Sequence, residues 1–119
     1  MVTARERFLW KKLREKYGIV GEVAGRYIAA GYGVTRDVKV GDIRFDLVAS
    51  KDKQRLAIKI FHETKEITPD IIEAYALAAK RIGSKSVIIL YGKGPRISEE
   101  ALNKAIELDV SLKRIQVRT

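Results

Sequence analysis

IRFDLVA (residues 43–49) and RLAIKIF (residues 55–61) are the two stretches whose reading decides the fold. Both are strand-like, rich in β-branched and aromatic residues. The five residues between them, Ser50-Lys51-Asp52-Lys53-Gln54, are few enough for a hairpin turn. Each run carries one charge where burial is otherwise demanded: Asp46 in the middle of the first, and Lys59 between Ile58 and Ile60 in the second. An acid and a base placed mid-strand in an apolar sheet are costly unless they are paired or put to use. Equal arms around a turn centred near Asp52 place Asp46 opposite Ile58, with Lys59 one residue out of register. A slip of one residue would bring Asp46 and Lys59 face to face.

Working outward, Val34–Val40 is a third strand-like run, joined to the first stretch by Gly41-Asp42, so the three predict an antiparallel meander. Upstream, Thr3-Ala4-Arg5-Glu6 reads as a capping box opening a helix that runs to about Tyr17 and stops at Gly18. A second short helix, about Glu22 to Ala30, ends in Gly31-Tyr32-Gly33. Downstream, Thr68-Pro69-Asp70 opens a helix with Ile71, Tyr75, Ala78 and Ile82 turned inward and Gly83 at its end. SVIILY (residues 86–91) is apolar enough for a central strand covered on both faces. Gly92–Arg96 reads as a loop, Ser98-Glu99-Glu100 caps a last helix to about Asp109, and Val110–Val117 reads as an edge strand. The order ααβββαβαβ predicts an α/β fold in three layers, with a mixed central sheet of about five strands flanked by helices. No repeat or linker interrupts it, so a single domain over residues 1–119 is expected, with residues 1–17 as an accessory amphipathic helix and 21–119 as the core.

Composition narrows the chemistry. A chain of 119 residues with 46% hydrophobic residues can bury a core without staples, and the absence of cysteine excludes zinc ribbons, iron–sulfur clusters and thiol nucleophiles. The single histidine, His62, excludes a multi-histidine metal site, and no GxSxG elbow supplies a serine nucleophile. Gly92-Lys93-Gly94-Pro95 lies where a phosphate loop would, but it lacks the required spacing, and Glu99 and Glu100 follow it at the helix start. The net charge of +9 favours a polyanionic partner, and it is uneven: residues 1–17 carry six basic and two acidic side chains, and residues 112–119 three basic and none acidic. Lys11, Lys12, Arg14 and Lys16 on the first helix, with Arg26, Arg36 and Lys39, are the candidate nucleic-acid contacts. The stripe of Phe8, Leu9, Trp10 and Leu13 suits a packing or dimer surface. No apolar run is long enough to span a membrane, and MVTARERFLW lacks a secretory apolar segment, so a cytoplasmic location is expected.

The element order and these residues together resemble the PD-(D/E)xK nuclease superfamily, the restriction-endonuclease-like fold, and within it archaeal Holliday-junction-resolving and Mrr-like domains. The likeness covers Gly21 to the carboxy terminus, through GEVAGRYIAAGYGV, DIRFDLVA and RLAIKIF. It implies a helix glutamate, a strand aspartate and a Glu-x-Lys on the next strand. Glu22, Asp46 and Lys59 match three of these positions, whereas Ala57 stands at the motif glutamate. The resemblance implies Mg²⁺ or Mn²⁺ held by Asp46 and that glutamate, with Lys59 orienting the attacking water and Glu22 assisting. Alanine supplies no ligand atom, so Glu22 or Glu73, from flanking helices, would have to replace it. Along a straight strand Glu63 lies about 20 Å from Ala57, and Asp42 about 13 Å from Asp46.

The resulting expectation is a DNA-directed nuclease-fold protein with a degenerate metal site, binding Mg²⁺ or Mn²⁺ if active and no cofactor otherwise. DNA is favoured over RNA as partner, and pairing into a homodimer is expected. The alternatives are an active Mg²⁺-dependent endonuclease, junction-resolving or restriction-like, and a non-catalytic docking subunit of a larger assembly.

Overall fold

The computed structural model describes residues 4–116, and the side chains among them except those of residues 5–10 and 16. Thr3 of the capping box, and Phe8, Leu9 and Trp10 of the apolar stripe, therefore lie outside the described residues or side chains.

Three strands form the predicted meander: β1 (Gly33–Val40), β2 (Ile43–Lys51) and β3 (Gln54–Phe61), each antiparallel to its neighbour. The β2–β3 turn is tighter than equal arms around Asp52 would make it. Lys51 pairs with Gln54, so Asp52 and Lys53 alone make the turn, with Asp52 in the left-handed region at φ 55°. Leu47, and not Asp46, consequently faces Ile58. The half-residue move of the turn centre corrects the expected register by one and brings Asp46 level with Lys59.

A second irregularity acts on the same residue. The β1–β2 ladder runs through Arg36–Leu47 and Val38–Phe45 but omits Asp37–Asp46, and Asp37 has φ 54°. Val34, Leu47 and Ala49 belong to the apolar cluster that includes Val23 and Ala24, whereas Val38, Val40 and Phe45 pack with Ala78 and Ala79. Val34 and Val38 share strand parity, so the ribbon turns over between them. Asp46 sits at that turnover.

The two expected amino-terminal helices are present and follow each other directly within α1 (Ala4–Ala29), parted at Gly18, whose φ 67° and ψ −142° are not helical. Glycine is required there, because a side chain at positive φ is strained. The break folds the chain so closely that a Cβ on Gly21 would overlap the Leu13 carbonyl.

After β3, the chain makes β4 (Lys65–Ile67), α2 (Pro69–Arg81), β5 (Lys85–Tyr91), β6 (Pro95–Ile97), α3 (Glu99–Glu107) and β7 (Ser111–Ile115). β5 lies between β3 and β7 and is parallel to both, completing a mixed sheet of order β1-β2-β3-β5-β7. β7 is the edge strand that its charges suggest. On α2 the buried positions are Ile72, Ala78 and Ala79, with Ile71, Tyr75 and Ile82 only half-buried, so the inward face is rotated from the expected stripe. Helix α1 covers one face of the sheet through Val23 and Ala24, and α2 and α3 cover the other through Ile72, Ala101 and Ala105. These are the three expected layers.

β4 and β6 form a separate two-stranded parallel sheet that the sequence does not predict, since Gly92–Arg96 reads as a loop. Arg114 secures that segment by donating to the Gly92 and Pro95 carbonyls. Among the described residues, no helix is long and apolar enough to cross a membrane.

Candidate functional site

Where β2 and β3 reach the break in α1, their ends and the start of the following segment enclose a cleft of about 650 Å³. Its walls include Tyr17–Val20 of α1, Arg44 and Asp46 of β2, Lys59–Phe61 of β3, His62, Glu63 and Lys65 beyond it, and Tyr75 of α2. Both mid-strand charges therefore face the same space.

Asp46 is 8% exposed, and its carboxylate is held by the strand it faces. The Ile60 amide donates to Asp46 Oδ2 at 2.8 Å, and Lys59 Nζ stands 3.7 Å from the same oxygen. The carboxylate thus takes over a donor that β2, turning over at this point, leaves unpaired. The Lys59 ammonium is also 5.3 Å from the Phe61 ring centre, and Lys65 Nζ is 5.4 Å from it on the same ring. Tyr75 meets Phe45 and Phe61 edge-on. Burial, reinforced by the Asp46 carboxylate and opposed by Arg44, pushes the Tyr75 phenol above its ordinary value, so it stays a neutral hydroxyl.

Asp46 and Lys59 are the sequence-predicted residues that the fold brings together. Glu22 does not line the cleft: its Oε1 takes the Arg14 guanidinium at 2.8 Å, while its Oε2 is buried without a hydrogen-bond partner. Burial first, and the Glu22 carboxylate second, push the Tyr91 phenol up. Glu73 lies in the groove between α2 and α3, 3.7 Å from Lys104. Ala57 faces Val48, is wholly buried, and packs with Val40, Phe45, Ala78 and Ala79.

Of the predicted nucleic-acid contacts, Lys11, Lys12 and Arg14 are exposed on α1 before its break, and Arg26 is exposed after it. Arg36 and Lys39 are exposed on β1, at the sheet's other edge. The Lys16 side chain is outside those described. Arg36 stacks 4.1 Å above Tyr17, which lines the cleft, so this basic strand adjoins the site.

Arg44, Lys65, Tyr75 and Glu63 are cleft residues that sequence reasoning did not select. Arg44 carried a usable signal: it shares strand parity with Asp46 in RFD. Glu63 was set aside by a straight-strand distance. β3 ends at Phe61, however, and the chain then turns, so Glu63 lies on the wall of the same cleft.

The donor set can be tested against a divalent metal. Hard cations of this class take several oxygen ligands at about 2.0–2.6 Å. Among the described residues, no three His, Cys, Asp or Glu side chains converge as a metal site. Asp46 is already engaged by the Ile60 amide and the Lys59 ammonium, and Ala57 adds nothing. The residues present do not fit a metal.

With this geometry, solved structures provide the comparison. The chain aligns with SfsA of Pyrococcus furiosus, solved with Ca²⁺, at TM-score 0.56 and 16% identity, over 89% of this chain and 57% of that one. It aligns with a repair endonuclease from Pyrococcus abyssi at TM-score 0.59 and 7% identity, over 98% and 49%. The chain has the restriction-endonuclease-like fold. EndoMS, solved in complex with double-stranded DNA, aligns at TM-score 0.52 and 10% identity, over 100% and 48%. The chain spans about half the length of each of these proteins. No family model matches it, and no curated protein matches it in sequence.

Proposed function

We propose that this chain binds DNA through the Asp46–Lys59 cleft and the basic surface beside it, as a nuclease-fold protein that does not itself cut. The observation that carries this reading is the pairing of Asp46 with Lys59 in a cleft also lined by Arg44 and Lys65. The Asp46 charge is met from within the protein, while Arg44 and Lys65 are additional cations on the cleft wall. Arg36 above Tyr17 and Lys39 extend positive charge along β1. Phosphate contacts of this kind supply affinity without requiring a metal. One solved structure of this fold is bound to double-stranded DNA, which supports DNA as the partner class.

Fluorescence anisotropy with labelled duplex, single-stranded and branched DNA tests this reading. Binding that weakens steeply from low to moderate salt, and that falls about tenfold or more in Arg36→Glu and Arg44→Glu variants, is expected. Affinity insensitive to salt would contradict it. With no three metal-ligating side chains converging among the described residues, strand scission in Mg²⁺ or Mn²⁺ is not expected; metal-dependent cutting lost in Asp46→Ala would favour the endonuclease alternative.

A second reading, a docking subunit of a larger assembly, is favoured by a separate observation. Leu77 and Leu108 line a groove between α2 and α3, and Leu102 and Ile106 are exposed one turn apart on α3. Size-exclusion chromatography with light scattering distinguishes a monomer from the homodimer that the fold also admits.

A further inference from the structure

We infer that the hollow between α1 and β7 is a second nucleic-acid site, separate from the cleft, and that its ligand is an unpaired base with its flanking phosphates in a single strand. The inference goes beyond the cleft reading and draws on other residues, since no described residue lines both places.

The register of the sheet puts the parts together. Lys113 pairs with Ile89, and Ile89 packs in the apolar cluster with Val23 and Ala24, so Lys113 projects on the α1 side of the edge strand β7. There Tyr27 of α1, Tyr32 just beyond it, Leu56 and Ile89 line a hollow of about 450 Å³, within the roughly 300–1,000 Å³ of small-ligand pockets. The two tyrosine rings meet edge-on at 81° with centres 5.5 Å apart, and both are half-buried. A cation stands over each: Lys113 Nζ is 5.8 Å from the Tyr27 centre, and Lys51 Nζ is 5.5 Å from the Tyr32 centre. Arg114 also lines the hollow, and no carboxylate among the described residues does. Tyr32 continues the surface into a second hollow at the β2–β3 turn, lined by Lys51, Lys53 and one acid, Asp52.

Charge and shape select the ligand. A cationic wall raises the local concentration of polyanions, and Lys113 and Arg114 belong to residues 112–119, which hold three basic side chains and no acidic one. The basic carboxy-terminal end, which the cleft does not use, thus has a surface of its own. Two aromatic walls add what a phosphate alone does not need, a platform for the flat face or edge of a base. In a duplex the bases are already stacked and paired, so tyrosines set in a hollow reach only an unpaired one. Arg114 is held by the Gly92 and Pro95 carbonyls and Lys51 by the Ala30 carbonyl, so these charges are in place before a strand arrives. Lys113, exposed at the sheet edge, is the cation placed to take a phosphate.

The test is fluorescence anisotropy of the full chain with a labelled oligothymidylate, an abasic strand of the same length and a duplex. The wild type is expected to bind oligothymidylate about fivefold or more tightly than the abasic strand, and Tyr27→Leu and Tyr32→Leu should each remove most of that difference. Lys113→Glu should weaken both single strands about fivefold or more while duplex affinity stays within about twofold. Its side chain is exposed, so this variant decides the matter even where a tyrosine variant does not fold. Arg44→Glu, in the cleft, should weaken duplex binding and keep the preference for oligothymidylate over the abasic strand. Equal wild-type affinity for the two single strands, a preference untouched in both tyrosine variants, or oligothymidylate binding unchanged in Lys113→Glu would overturn the inference. Equal losses of duplex and single-strand affinity in Lys113→Glu would also overturn it, because one shared surface would then serve both.

Discussion

Asp46 answers two demands at once, and its removal should show both. Its Oδ2 accepts the Ile60 amide and faces the Lys59 ammonium, in surroundings that leave the aspartate side chain 10% and the lysine side chain 19% exposed. Asp46→Ala leaves a buried amide unpaired, at a cost of about 1–3 kcal/mol, and Lys59→Met leaves a buried carboxylate without its counter-charge, at a similar cost. Because each loss already breaks the same contact, the double variant should be less destabilised than the two costs added, by about 0.5–3 kcal/mol. Chemical denaturation of the four proteins measures this coupling, and strict additivity would mean that the pair is incidental. The phenols give a pH prediction. Burial pushes the Tyr27, Tyr75 and Tyr91 phenols above the ordinary tyrosine value of about 10, so the folded state holds their protons where the unfolded chain has released them. Their stabilising contribution is complete below that value and declines as pH rises through the folded titration. Tyr75→Phe should flatten the alkaline loss of stability, and ultraviolet titration of tyrosinate should show a delayed fraction that unfolding abolishes.

At the scale of elements, helix starts that look alike in sequence are held differently. Ser98 Oγ accepts the Ala101 amide at 3.1 Å, whereas Thr68 makes no side-chain cap bond and its carbonyl takes the Ile71 and Ile72 amides. Ser98→Ala should destabilise by about 1 kcal/mol and Thr68→Ala by much less, as thermal unfolding would show. The strands and helices that read clearly were those with long periodic patterns: the meander, SVIILY and the two carboxy-terminal helices. β4 and β6 were illegible because three-residue strands carry no period, and their pairing depends on Arg114 reaching back to Gly92 and Pro95. Within the site, Asp46 and Lys59 announced themselves as charges in apolar runs. Their register did not, since it hangs on whether Asp52 alone or Asp52 with Lys53 makes the turn. Glu22 and Glu73 illustrate the opposite failure. Helix carboxylates can be proposed as ligands from sequence order, but their directions depend on tertiary packing, which gives them to Arg14 and Lys104.

For the whole molecule, the cations gathered at the cleft come from the middle of the chain rather than from its two basic ends. Exposed Arg36 and Lys39 lie on β1, and Arg36 reaches Tyr17 at the lip of the cleft that holds Arg44, Lys59 and Lys65. The nuclease fold brings an acid and a base to one point at the end of its sheet, and in this chain they satisfy each other. On the proposed function, the surface around that pair binds DNA without a metal. The measurement that tests this most directly is the affinity for duplex DNA in EDTA and in Mg²⁺ at matched ionic strength, with the DNA recovered and checked for scission. Equal affinity and intact DNA in both conditions are predicted. Binding that requires Mg²⁺, or strands cut in its presence by the purified chain, would contradict the account.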